Sequence, residues 1–258
     1  MISKSVDILR KNLPFYIGYA VVLGIVRQLE EVALEGVIPL NFVAVPTILL
    51  VTFLQAALAQ HIFRTALYGI SFAELPPRGS RFGGLFELCS KAAILFAIST
   101  IPSLIFFSWA KHLGLVPVPR APDLRIALAL IAITALCSSA VFSYAGTWLP
   151  ASVYTGDLSL GAALRRGNKT FRAIFLPLAL ATLVLNYLSF ALSHTAKIWD
   201  ITPSNSSLDY IFLGGTLRSL AALVDAFYMT FAAVVLSHQY LRSEISNDEV
   251  SQPTADLT

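Results

Sequence analysis

Runs of apolar residues recur from Leu13 to Leu236 with no long polar stretch between them, and this recurrence most limits what the chain can fold into. A helix needs about 20 mostly apolar residues to cross the hydrocarbon of a bilayer. The run LPFYIGYAVVLGIV from Leu13, and residues 42–60, 92–109, 126–149, 173–192 and 216–236, meet or approach that length. Backbone N–H and C=O groups in lipid must be satisfied within the protein, so such runs are expected to be helices. Charged residues make up only 13% of the chain, against about a quarter in a soluble domain. The expected fold is therefore all-α: a polytopic membrane bundle of six transmembrane helices. One integral membrane domain is expected over residues 1–242. Residues 243–258 are polar and are expected to form a disordered cytoplasmic tail.

Details of the spans follow from the same pattern. Residues 1–12 read as a short amphipathic segment, and the first helix, not a cleaved leader, is expected to direct insertion. That helix is expected to continue past its apolar run and to pair Arg27 with Glu30 or Glu31 at helical spacing near the outer headgroups. Pro102 should kink the third span, with Ser99 and Thr100 placed to satisfy the freed carbonyl. The fourth span ends in small residues: Ser138, Ser139, Ala140, Ser143, Ala145 and Gly146. Small residues let membrane helices approach closely, so this face should make the tightest contact. Residues 193–215 read as the longest polar loop. Cys89 and Cys137 sit in or beside apolar helices and are expected to be unpaired.

Residues 138–175 join the fourth and fifth spans through a corner at Trp148-Leu149-Pro150 and a short cytoplasmic amphipathic helix at 158–167. Ser159 suits an N-cap and Asn168 a helix end. Arg165, Arg166, Lys169 and Arg172 crowd the end of that helix. They fit contact with anionic lipid headgroups, and equally the ordinary excess of cations in cytoplasmic loops. Of 18 Lys and Arg, twelve fall on this side: Lys4, Arg10, Lys11, Arg64, Arg78, Arg81, Lys91, the four named above and Arg242. Both termini are then expected in the cytoplasm, and the membrane is expected to be a bacterial cytoplasmic membrane.

The exits of the second, fourth and sixth spans are alike: AALAQHIFRTALYG, YAGTWLPASVYTG and AAVVLSHQYLR. Two readings fit: three pseudo-repeated helical hairpins, as in transporter folds, or helix exits that merely share an amphipathic composition. The stretch from Ser159 through Ala162-Ala163-Leu164-Arg165-Arg166-Gly167 to Phe171, with the closing Tyr240-Leu241-Arg242, resembles a loose set of uncharacterised six-helix bacterial inner-membrane proteins. That set includes the membrane domain fused to some glycerophosphodiester phosphodiesterases. The resemblance covers most of the chain in topology but only about twenty residues in motif. It implies no catalytic residue, because the phosphodiesterase domain is not in this sequence, and its members mostly lack an assigned activity.

Asp225 is the one acidic residue deep in an apolar run. A charge at the bilayer centre costs at least ~2.5 kcal/mol on the insertion scale, so such residues face the bundle or a water-filled cavity. It reads either as a proton or cation site or as a structural hydrogen bond, with Gln55, Asn186, Tyr228 and Arg218 as candidate partners. Arg218 lies two turns earlier on the same face. His61 and His238 sit at helix exits without metal-ligand spacing, and no nucleotide, nucleophile-elbow or Cys-pair motif occurs. Asn205 matches a glycosylation acceptor that a bacterial chain would not use. No cofactor and no nucleic-acid partner are expected. The expected partners are the bilayer and anionic phospholipid headgroups; a membrane protein partner or a second copy is left open. The function expected is that of a non-enzymatic integral membrane protein acting through packing, lipid contact or a partner, with a small transporter near Asp225 as the alternative.

Overall fold

In a computed structural model the chain folds into helices alone among its described residues, which are 1–34, 40–69, 82–114, 124–154, 159–200 and 207–251. The helices are α1 (Ile2–Lys11), α2 (Leu13–Leu34), α3 (Leu40–Tyr68), α4 (Phe82–His112), α5 (Leu124–Ala145), α6 (Trp148–Tyr154), α7 (Leu160–Asp200) and α8 (Ser207–Ser251). Among the described residues four stretches are long and apolar enough to cross a membrane: Glu87–His112, Leu124–Ala145, Leu160–Thr195 and Leu213–Ser243. Leu13–Arg27 is a shorter apolar stretch. That make-up is that of a multi-pass membrane protein. The outer surface agrees: Phe96, Leu104, Ile105, Leu176 and Val184 are each about 60% exposed or more. A soluble monomer rarely exposes contiguous apolar patches of this kind.

The centre of the bundle is α8. Half of its apolar stretch is buried, against 11% for α4, and it touches α2, α3 and α7. The reason is a stripe of small residues: Ala222, Ala226, Thr230 and Ala233 are all buried and recur at helical spacing. Tyr16 and Leu23 of α2, Leu58 and Ile62 of α3, and Ile174 and Leu178 of α7 fill the core around them. The order of partners along α2 and α8 makes these two antiparallel: Tyr16 meets Thr230, and Gly24 lies against Ser219.

One end of the bundle gathers α1, the C-terminus of α3, α6, the N-terminus of α7 and the C-terminus of α8. Ile8 of α1 clusters with Ala66 and Val234. Lys4 Nζ donates to the carbonyl of Ala66 at 3.2 Å, placing a cation over the negative end of α3. Gly69 follows that end at φ +73° and closes the helix. Trp148 lies under Lys91 Nζ, 5.0 Å from the ring centre. Lys91 is buried and pairs with Glu87 of its own helix at 2.7 Å, and its contact with Trp148 braces α4 against α6.

Several expectations about boundaries are corrected. The fourth span ends at Ala145 and the chain turns at Gly146-Thr147; Trp148-Leu149-Pro150 opens α6 and is not the corner itself. No separate helix occupies 158–167. Ser159 does cap, accepting from the Ala162 N–H at 3.2 Å, but the helix it starts runs unbroken for 41 residues. Gly167 and Asn168 look like a helix end because Gly is a common terminator. Here Gly167 serves packing: a Cβ on it would overlap the backbone carbonyl of Tyr144. Tyr144, Phe171 and Phe175 then stack beside the crossing, with ring centres 4.3 and 5.1 Å apart. Pro177, near the start of the apolar run that begins at Ala173, lies well inside α7. Of the loop expected at 193–215, residues 193–200 and 207–215 are helical and 201–206 lie outside the described residues, and α8 runs on to Ser251 where a tail was expected from 243. Arg78, Arg81, Arg120, Asn205 and residues 252–258 lie outside the described residues. Near Pro102, Ser99 and Thr100 bond the carbonyls of Phe96 and Ala97, not that of Ile98, which the proline frees.

The small-residue face of α5 makes the close contact expected of it. Ala135, Ser138, Ser139, Ser143 and Ala145 are buried, with α7 crossing beside them at Gly167. Cys89 and Cys137 are free thiols.

Candidate functional sites

Two polar regions stand out, one inside the bundle and one at its basic end. Inside, Arg27 of α2 donates from a guanidinium nitrogen to an Asp225 carboxylate oxygen of α8 at 2.9 Å. Asp225 thus has a partner outside the set drawn up from the sequence. The expected partners of Arg27 within its own helix, Glu30 and Glu31, have side chains that lie outside the described residues. The geometry explains the choice. Side chains tilt toward the N-terminus of their helix, and α2 and α8 are antiparallel. The Arg27 stem therefore runs back along α2 while the Asp225 carboxylate leans to meet it. Both side chains are only partly covered, 30% and 27% exposed.

The four residues proposed alongside Asp225 are distributed differently. Gln55 of α3 faces the Tyr19 hydroxyl, which is buried and feels both charges of the pair, though no well-formed bond closes between the two among the described residues. Asn186 lies half-buried on α7 without reaching α8. The α7 side chain that does reach is Thr182, one turn earlier, whose Oγ1 lies 3.1 Å from the Tyr228 hydroxyl. Thr182 Oγ1 also lies 2.6 Å from the Leu178 carbonyl, so its hydroxyl has two acceptors in reach, that carbonyl and the Tyr228 oxygen. Arg218 is buried on α8, and the charge that meets Asp225 is Arg27.

Hydroxyl pairs tie the remaining helices at similar points. Ser103 and Thr134 join α4 to α5 at 2.6 Å. Ser139 Oγ lies 3.2 Å from Thr182 Oγ1 between α5 and α7. Tyr16 and Thr230 join α2 to α8 at 2.7 Å. Thr230 donates to the Ala226 carbonyl at 2.8 Å, so the Tyr16 O–H is the donor. Side-chain hydrogen bonds between membrane helices average ~0.6 kcal/mol. Tyr16→Phe is therefore expected to cost ~0.5–1 kcal/mol in a reversible detergent or lipid unfolding titration, with no change in helix content.

At the basic end, a cavity of about 790 Å³ opens between the start of α7 and the end of α8. Arg165, Arg166 and Lys169 line it from α7, and Gln239, Arg242 and Ser243 from α8. The two sets converge because 165/166 and 169 fall one turn apart on α7, as do 239 and 242/243 on α8. Arg166 is buried, its guanidinium 5.1 Å from the centre of the Tyr240 ring. Such stacking fixes the orientation of a cation. Arg165, Lys169 and Arg242 are exposed. Among the described residues no acidic side chain lines it. Arg172, grouped with the others by sequence, is exposed and does not line the cavity, whereas Arg242 does. Arg242 carried a signal in the sequence, since Tyr240-Leu241-Arg242 follows the last apolar run. Nothing local in the sequence said that this motif would meet the 165–169 cluster.

The depth of the cavity follows from helix lengths. At 1.5 Å per residue the 41 residues of α7 extend about 60 Å, roughly twice the hydrocarbon thickness. Its apolar run begins at Ala173 and that of α8 ends near Leu236. The cavity is bounded by Ala173 and Gln239, which puts it at the level where apolar surface gives way to polar.

Comparison with protein families, curated proteins and solved structures gives no match to this chain.

Proposed function

We propose that this is a non-enzymatic integral membrane protein whose working contact is with anionic lipid at its basic end. In this reading α2 and α3 also cross the bilayer, making six spans. The cation-rich end faces the cytoplasm of a bacterial cell, in keeping with the excess of Lys and Arg there. The observation that carries the reading is the basic cavity at headgroup level. Three α7 cations and Arg242 share it, with no carboxylate lining it among the described residues. Each basic residue near an anionic surface contributes ~1 kcal/mol. An enzyme would need convergent reactive side chains at one depth. Among the described residues no group of three His, Cys, Asp or Glu side chains could hold a metal ion.

The test is retention of lipid by the purified protein. Wild type delipidated in neutral detergent and offered phosphatidylglycerol and phosphatidylcholine in equal amounts should retain the anionic lipid preferentially. The preference should fall with added salt, since exposed charges are screened over ~8 Å at physiological ionic strength. The double variant Arg165→Ala, Lys169→Ala should lose most of it, because each exposed cation contributes about fivefold. Equal retention of both lipids by wild type would defeat the reading.

A second reading, a small transporter or transporter subunit, is favoured by one observation: Asp225 has an intramembrane counter-charge on another helix. Paired intramembrane charges mark ion and substrate paths. In that case Asp225→Cys should react with a water-soluble thiol reagent in intact membranes. Under the lipid-contact reading it stays unreactive until the membrane is dissolved.

A further inference from the structure

We infer that α6 is a gate: a short helix seated as a plug in the basic end of the bundle, latched by Lys91 against Trp148, beside a layer of buried hydroxyls that takes up water when the plug lifts. The inference goes beyond both readings of function and depends on neither.

α6 is unlike the long helices around it. Its seven residues make about two turns, too few to cross a bilayer. Yet it touches α3, α4, α7 and α8, and Leu149 and Ala151 are almost wholly buried. A helix of two turns has little stability of its own, so tertiary contacts hold it in place. Two of those contacts come from groups outside the helix. Lys91 Nζ of α4 stands 5.0 Å from the centre of the Trp148 ring. Thr147, in the turn that enters α6, donates from Oγ1 to the Ala163 carbonyl of α7 at 3.4 Å, a long and therefore weak bond.

The layer beside α6 is polar in an unusual way. Deeper in the bundle, hydroxyls pair across helices, as Tyr16 does with Thr230 and Ser103 with Thr134. Here Thr65 Oγ1 of α3, Ser143 Oγ of α5 and Ser237 Oγ of α8 are buried and make no hydrogen bond among the described residues. They share one level. Thr65 adjoins Ala66, which clusters with Val234, and Ser237 follows Val234 by one turn. Leu236, the neighbour of Ser237, packs on Gly146, and Ser143 precedes Gly146 by one turn. A buried hydroxyl without a partner has lost its water and gained nothing in exchange. Lifting α6 returns water to this layer and to the buried ammonium of Lys91, which favours opening. It also exposes Leu149 and Ala151 and parts Lys91 from Trp148, which favours closure. Opposed effects of this kind leave two positions of a small element close in free energy, and a weak latch then decides between them.

The test is thiol labelling of the full chain in membrane vesicles, with the two free cysteines, Cys89 and Cys137, replaced by alanine. Ser143→Cys and Ser237→Cys report on the layer. Ser103→Cys, at the α4–α5 contact, reports on general loosening. A membrane-impermeant maleimide is added from each side in turn. With the latch intact, both layer cysteines should react slowly. Trp148→Leu should raise their rates about tenfold, from the basic-end side only, as follows from losing a largely desolvated cation–π contact. Lys91→Met removes the same contact from the other partner and should do likewise, so the test stands if one variant fails to fold. Ser103→Cys should not change. Unchanged rates in a folded latch variant would overturn the gate. So would an equal rise at Ser103→Cys, a rise from the opposite side alone, or fast labelling of the layer with the latch intact.

Discussion

Replacing Gly167 with leucine is expected to prevent the bundle from assembling, the largest effect of any single substitution considered. A Cβ at this position meets the carbonyl oxygen, carbonyl carbon and Cα of Tyr144. These are backbone atoms of a packed helix and cannot swing aside as a side-chain tip would. Overpacking of a filled core costs ~1–3 kcal/mol and more where the backbone must move. The cost falls on the α5–α7 crossing, which also aligns Ser139 with Thr182. Gly167→Leu should therefore run as aggregated or polydisperse protein in size-exclusion chromatography, and Gly167→Ala should fold with a lowered midpoint. Gly18 is the control. Nothing lies within 4 Å of a Cβ built there, and alanine in mid-helix is favoured over glycine by ~0.5–1 kcal/mol. Gly18→Ala should be neutral or slightly stabilising. A Gly167→Leu protein with wild-type behaviour would mean that α7 does not cross α5 at Tyr144.

The second large effect is at the charge pair. Removing one partner of a fully buried ion pair costs ~3–5 kcal/mol, mostly because the other charge is stranded. Arg27 and Asp225 are 30% and 27% exposed, so ~2 kcal/mol is the expectation for Asp225→Leu or Arg27→Leu alone. The double variant should be more stable than either single one, since it strands no charge and adds apolar surface. The coupling, read from a double-mutant cycle, is the quantity of interest. Asp225→Asn keeps an acceptor for the guanidinium and should fold. Additive losses in the double variant would show that the two side chains do not interact.

These two sites also show what could be read from the sequence and what could not. Helical class and membrane character follow from local periodicity and composition, and the apolar runs located the four long spans closely. Asp225 was visible because a carboxylate in an apolar run has no cheap local explanation. Its partner was not. Arg27 has Glu30 and Glu31 within one turn, and short-range pairing is the natural expectation when helix order in space is unknown. Only the small-residue stripe on α8, which draws α2 in against Ala222 and Ala226, brings Arg27 within reach. Gly167 misled for a related reason. Helix termination and close helix crossing both call for a residue without a side chain, and the sequence does not distinguish them. Here the second holds, and α7 continues. The basic cluster at 165–169 was legible as a group, but its fourth member, Arg242, comes from the far end of the chain.

The account turns on anionic lipid meeting the protein at one place. The most direct measurement is photo-crosslinking in native-like membranes with phosphatidylglycerol bearing a photoreactive headgroup, followed by peptide mapping. The account predicts adducts concentrated at two segments far apart in sequence, residues 162–173 on α7 and 239–243 on α8, and their loss when excess unlabelled anionic lipid is added. Adducts spread around the cation-bearing end in proportion to exposure, including Lys11 and Arg10 of α1, would contradict it.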